Sequence, residues 1–148
     1  MDPAERFVEG MGLFFESEGG PRIAGRLFAH LLLQEEPQSL DALAEDLRVS
    51  KASISTNARL LEERGLLERV SRPGDRRDYY IAAPDQTRTV ELRLEGVRQM
   101  GQLLRQGLEA APRRHRAARD RMTRMIDLNA QASRWLDEML ATWRARGP

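Results

Sequence analysis

Apolar positions along the chain recur mostly at helical spacing and change rhythm once. Phe7, Met11 and Phe14 share one face of a helix over 4–18, with Val8 and Phe15 beside it. Gly19-Gly20 ends that helix. Pro21 suits the first position of the next, because its missing N–H would have had no partner there. The second helix runs to Gln34, burying Ala24, Leu27, Phe28 and Leu31, and Pro37 stops it. Ser39 is an N-cap for a third helix, whose Leu40, Leu43, Ala44 and Leu47 form one apolar face. Ser50 caps a fourth helix, 51–64, and Gly65 suits its exit.

Past Gly65 the rhythm becomes strand-like. Leu67 to Arg72 and Asp78 to Ala82 are short, and the second carries Tyr79, Tyr80 and Ile81. Pro73-Gly74-Asp75-Arg76-Arg77 between them makes a charged turn, so the pair predicts a hairpin. Pro84 closes it, and Asp85 caps a long helical segment over 86–111. Pro112 separates that segment from another over 113–146.

The long segments carry heptad stripes. Val90, Leu94, Val97, Gly101, Leu104, Leu108 and Ala111 alternate steps of four and three. Met122, Met125, Asn129, Ala132, Leu136, Met139 and Trp143 alternate three and four, and Ile126, Ser133 and Leu140 widen that stripe. A helix over 86–111 is ~39 Å long at 1.5 Å per residue. Its apolar seam needs a partner, and a second copy of the chain is the simplest one. Phe7, Met11, Val90, Leu94, Val97, Leu104, Leu108, Met125, Asn129, Leu136, Met139 and Trp143 are the residues expected at a homodimer interface. Asn129 either sets the register there, or faces solvent or bonds within its own subunit.

Two short helices joined by a tight turn, followed by a hairpin, form a winged helix-turn-helix. The predicted fold is mainly α with a small β-hairpin, in the α+β class. Residues 21–84 make the winged helix-turn-helix, and 1–20 with 85–148 make a helical dimerisation region in the same compact chain.

Charge sharpens this picture. The 148 residues carry 24 basic and 23 acidic groups, a net charge of +1. Residues 1–47 hold 3 basic and 10 acidic groups, whereas 48–82 hold 8 and 5. A basic island thus follows an acidic segment, an asymmetry suited to a polyanionic partner. Lys51 is the only lysine, and the arginine excess has a simple source in codon usage. The arginine run at 113, 114, 116, 119, 121 and 124 could touch DNA flanks, but pairing with the acidic N-terminal region or simple solvation is the stronger reading.

Within the island, Ile54, Ala58 and Leu61 form the buried stripe of the fourth helix. Ala52, Thr56, Arg59 and Glu63 lie opposite, with Ser55 alongside, and up to Arg59 that face holds no carboxylate. Small residues permit close approach to a major groove. Hydroxyls and Asn57 bond bases or phosphates, and Arg59 reaches guanine or backbone. Ser50, Lys51 and Ser53 stand at the helix start, where free N–H groups and the dipole favour a phosphate. An ordinary solvated face has a similar composition, and the adjoining hairpin tips the reading toward nucleic acid. At the hairpin tip Arg72, Arg76 and Arg77 suit a narrow minor groove, and Asp75 or Asp78 can orient a guanidinium.

These stretches resemble a known family. Pro21 to Arg26, then SLDALAEDLRVSKASISTNARLLEERGLLERV, then RPGDRRDYY, are similar to the GbsR-like branch of the MarR family of winged-helix regulators. The resemblance covers about residues 5–85. It implies that the fourth helix reads the major groove, that Arg77 enters the minor groove and that Asp75 braces it. It also implies a ligand crevice. For this branch a quaternary ammonium such as choline fits an aromatic cage, to which Phe14, Phe15 and Trp135 are candidates, though ordinary core packing is the stronger reading for them. Two positions depart from the common pattern. Arg48 stands in the turn where glycine is frequent, and Ala42 replaces the glutamate of a capping box.

Other classes find little support. Zero cysteine excludes a disulfide framework and a cysteine nucleophile. His30 and His115 have no partner at metal-ligand spacing, and there is no phosphate-binding glycine loop. No catalytic residue, metal site or cofactor is expected. No apolar run reaches the ~20 residues of a membrane span, and the N-terminus lacks a secretory pattern. The expectation is a cytoplasmic homodimer that binds double-stranded DNA as a repressor of a pseudo-palindromic operator, modulated by an unidentified small molecule. The alternative is a winged helix used for protein contact within the transcription machinery.

Overall fold

A computed structural model describes residues 1–147. The elements run α1 (Pro3–Ser17), α2 (Arg22–Leu32), β1 (Gln38–Ser39), α3 (Leu40–Leu47), α4 (Lys51–Glu63), β2 (Leu67–Val70), β3 (Tyr79–Ala82), α5 (Thr87–Ala110) and α6 (Arg116–Ala145). They form two units, Met1–Gln86 and the chain from Thr87 on.

In the first unit three of the four helix starts have a side-chain cap. Asp2 accepts from the Ala4 N–H, and Glu5 accepts from the Asp2 N–H, a reciprocal capping box for α1. Ser39 accepts from the Ala42 N–H and Ser50 from the Ser53 N–H, as the sequence predicts. Pro21 is the N-cap of α2 rather than its first residue. The helices α1 and α2 cross at Gly12 and Gly25, where the Gly12 Cα leaves no room for a Cβ on Gly25. Glu9 of α1 ties the pair polar-side, with one carboxylate oxygen 3.0 Å from Arg22 and the other 2.7 Å from Arg26. Arg26 also donates to the Leu47 carbonyl at 3.2 Å, linking α1 and α2 to the turn after α3.

That turn passes through Arg48 in the left-handed region, with φ 55°. The conformation lets Arg48 N–H reach Glu45 O and Val49 N–H reach Ala44 O, which closes α3 and aims α4. Leu27, Leu31, Leu43, Ile54, Leu61 and Tyr80 are fully buried between the helices and the sheet. The sheet has three antiparallel strands in the order β1-β3-β2, not the bare hairpin that periodicity suggests. β1 is two residues long and pairs Gln38 with Tyr80 and Ser39 with Tyr79. It covers the edge of β3 that the hairpin leaves free, and two residues carry no period to read.

Within the first unit α1 packs along α2.

In the second unit α5 and α6 form an antiparallel helical hairpin. Gly101 faces Asn129, and Gly107 lies near the Met122 sulfur. Ion pairs Arg98–Asp137, at 2.8 Å, and Arg144–Glu91 flank the seam. Arg119 donates to the carbonyls of Leu108 and Ala111 at 2.7 and 2.8 Å, capping the end of α5. It is neither solvated nor paired with the acidic segment, while Arg113, Arg114, Arg116, Arg121 and Arg124 are exposed.

The α5 stripe is therefore covered within its own chain. Leu94 is buried, and Val90, Val97, Leu104 and Leu108 are half-buried, without any second copy. Asn129 and Leu136 are also half-buried in this seam, with the Asn129 side chain beside Gly101. The return of α6 along α5 covers these residues in part within one chain. Met125, Met139 and Trp143 are exposed on α6, together with Leu128 and Trp135. In the first unit Phe7 is exposed and Met11 packs against the core.

Candidate nucleic-acid interface

The N-terminus of α4 and the β2–β3 loop carry the candidate residues. Along α4, Ala52, Thr56 and Arg59 are exposed and Ser53 and Ser55 half-exposed, opposite buried Ile54, Ala58 and Leu61. The outer face is thus the one helical periodicity predicts. Asn57 is the exception. Its residue is 7% exposed, and its amide donates to the Ser53 carbonyl at 2.9 Å. Asn57 is turned into the helix packing and does not join the outer face, because at ~100° per residue it stands about 40° from Leu61 and about 60° from Ile54.

Three α4 groups already have partners. Ser50 Oγ is engaged as the N-cap. Arg59 Nε lies back toward the Ser55 carbonyl at 3.4 Å. Lys51 Nζ pairs with Asp41 of α3 at 3.0 Å, with more than half of each side chain exposed. Asp41 stands in the first turn of α3, where the helix dipole favours a carboxylate. Its position beside Lys51 depends on how α3 and α4 cross, which no local pattern signals.

At the wing, Gly74 takes φ 76° and lets the loop fold back. Asp75 then reaches Arg77 twice over. Its Oδ1 accepts from the Arg77 backbone N–H at 2.9 Å, and its Oδ2 accepts from Arg77 Nη2 at 2.9 Å. The Arg77 bonds, and then the Tyr79 hydroxyl, hold the Asp75 carboxyl well below the usual range. The Arg77 guanidinium is raised in return, first by its bond to Asp75. Asp75 rather than Asp78 is the brace.

Arg72 stacks on the Tyr79 ring, 3.9 Å from its centroid, and donates to the Pro37 carbonyl at 3.4 Å. Arg76 is exposed, and among the described residues it has no hydrogen-bond, ion-pair or ring partner. Tyr79 is the functional residue that sequence reasoning passed over. Two successive strand tyrosines must face opposite sides of the sheet, so one of them had to leave the core. Arg76, Arg77 and Lys51 all line one crevice between the wing and the helix pair, with Asp41 and Asp78. The geometry presents a helix start and a charged loop side by side, each with ordered cationic groups.

Among the described residues there is no helix long and apolar enough to cross a membrane. A MarR family model matches residues 30–79. The chain is 37% identical over 146 residues to the HTH-type transcriptional regulator MmpR5 of Mycobacterium tuberculosis (strain ATCC 25618 / H37Rv), covering 95% of this chain and 86% of that protein. A crystal structure of a transcriptional regulator superposes with a TM-score of 0.86 at 35% identity, covering 97% of this chain and 99% of the other. With the helix pair, the braced wing and this identity over nearly the whole length, the chain belongs to the MarR family of transcriptional regulators.

Proposed function

We propose that this regulator binds double-stranded DNA sequence-specifically as a homodimer and represses by occluding a pseudo-palindromic operator. One observation carries the reading. Asp75 holds Arg77 by its backbone and its guanidinium at the wing tip. An arginine ordered in advance enters a narrow groove at a lower entropic cost than a free one. The exposed face of α4, with Ala52, Thr56 and Arg59, is the matching major-groove reader. Arg72 and Arg76 supply further positive charge, and Ser50, Lys51, Ser53 and Ser55 supply phosphate and base contacts.

The dimer reading now rests on α6. Met125, Leu128, Trp135, Met139 and Trp143 fall within one ~80° sector of that helix, and each is roughly half exposed or more. A second copy would cover this stripe, and two recognition helices about one duplex turn apart, ~34 Å, would read a pseudo-palindrome. An unidentified small molecule that changes their separation would modulate the repressor. Phe15 packs on Phe28 and the core, so the aromatic-cage version loses a member. Within the family we place the chain in the GbsR-like branch, on the residue stretches of 21–26, the helix pair and the wing. The site of action is the cytoplasm, where bacterial DNA lies.

The test selects duplexes from a random-sequence pool with the purified protein. It then measures affinity by fluorescence anisotropy against a scrambled duplex at ~150 mM salt, where non-specific phosphate binding is weak. A converged, two-fold symmetric sequence bound far tighter than the scramble is the expected result. Enrichment of no sequence would shift the reading to a winged helix used for protein contact.

A further inference from the structure

Tyr79 and Tyr80 are neighbours in the middle strand, yet they do different things. Tyr80 belongs to the buried core cluster. Tyr79 lies on the opposite face of the sheet, outside that cluster, although only 5% of it is exposed. Its backbone is paired on both sides, with Ser39 of β1 and Val70 of β2. It is thus the last residue of the wing that is anchored from both edges, and the loop that carries the arginines ends at it.

The side chain reaches each ordered group at the tip. Its hydroxyl donates to Asp75 Oδ2 at 2.7 Å, on the same carboxylate that grips Arg77. Its ring face carries the Arg72 guanidinium at 3.9 Å, and Arg77 lies 5.6 Å from the same centroid. A phenylalanine would cover the sheet equally well. The hydroxyl adds a bond aimed out of the sheet at a loop carboxylate, and core packing does not require that bond. Because Asp75 accepts it, the phenol is pushed to hold its proton, and it stays a donor at neutral pH.

We infer that Tyr79 is the positioning residue of the wing. It fixes Arg77 through Asp75 and holds Arg72 on its ring, so two guanidinium groups are ordered before any groove is met. Arg76, the unpartnered arginine between them, is left to meet a phosphate. The inference rests on the DNA-binding reading and adds a division of labour to it: Arg77 and Tyr79 act together in sequence preference, whereas Arg76 acts on affinity for any duplex.

The test uses the full chain and Tyr79→Phe, which keeps the ring and removes the hydroxyl. Without DNA, the Arg77 Nε–H NMR signal reports the brace directly. It should be as ordered as the backbone in the wild type and should lose that order in Y79F, with the melting curve little changed. With the selected duplex, Y79F should weaken binding on the order of threefold to tenfold and leave the scramble unaffected. In an Arg77→Ala background the same change should have no further effect, a result that a merely structural role would not produce. Arg76→Ala should weaken both duplexes equally. Equal Arg77 order in wild type and Y79F overturns the inference, and so does a full Y79F effect in the absence of Arg77. If the wild type selects no sequence, the DNA reading fails on its own, and the Arg77 signal still decides what Tyr79 does. Should Y79F unfold, Asp75→Asn breaks the same relay from the loop side and is judged by the same signals.

Discussion

Gly25 packs its bare Cα side against the main chain of Met11 and Gly12, so that a Cβ there would run into the Met11 carbonyl oxygen and approach the Gly12 Cα to 2.9 Å. Backbone cannot rotate away as a side-chain end can. Gly25→Ala should therefore push α1 off α2, despite the better helix propensity of alanine. The expected loss is about 1–3 kcal/mol, read as a melting temperature lowered by several degrees. An unchanged melting curve would mean that the two helices do not sit this close.

Arg48 makes the opposite prediction. Its φ of 55° strains any residue with a Cβ. Arg48→Gly should raise stability by about 0.5 kcal/mol, the relief being partly offset by glycine's greater freedom when unfolded. Arg48→Val, branched at Cβ, should lower it. Chemical denaturation of the pair checks the order of the three proteins.

The α6 stripe separates fold from assembly. Met139→Glu combined with Trp143→Glu should halve the mass seen in sedimentation, from twice 16.9 kDa to one chain. The helical content should hold, because Met139 and Trp143 are about half exposed at the margin of the α5–α6 seam, while Leu140 inside it is buried. DNA affinity should fall with the loss of the second half-site contact.

Asp41 holds Lys51 at 3.0 Å beside the wing crevice, where a phosphate would compete for the same ammonium. Asp41→Asn should strengthen binding to any duplex about twofold to fivefold, since exposed pairs are weak and salt-screened. The gain should vanish in a Lys51→Ala background, as anisotropy titrations of the four proteins would show.

Glu9 contributes to the acid limb of stability. The Arg22 bond, with Arg26 behind it, holds its carboxyl below the ordinary glutamate value against a smaller opposing effect of burial. A carboxyl lowered in the folded state contributes stability that is full above its unfolded pKa and is lost as pH falls through the folded one. Glu9→Gln should thus melt lower than wild type at neutral pH, and the difference should close under acid. A gap that stays constant with pH would assign Glu9 no electrostatic role.

Much of this molecule is set by local pattern. Periodicity places α1 to α4, the hairpin and the two long helices. Ser39, Ser50 and Gly65 mark their ends because each satisfies backbone groups a helix cannot. Even the strained turn at Arg48 and the brace of Asp75 on Arg77 lie within three or four residues of their causes. They are local in the chain, and a sequence can state them.

Tertiary structure decided the rest, wherever two segments distant in sequence compete for one surface. The heptad stripe of α5 does not say whether its partner is α6 or a second chain, since both offer apolar side chains at the same spacing. The return of α6, with Asn129 over Gly101, gave that seam to the chain itself and left the Met139 and Trp143 side uncovered. Asn57 is buried as α4 packs, although its amide bond runs to the Ser53 carbonyl of the same helix. Tyr79 joins Arg72 to Asp75 only because β3 is held between β1 and β2. Local propensity orders a backbone, but which side chains meet depends on faces that exist only after the helices and strands have packed.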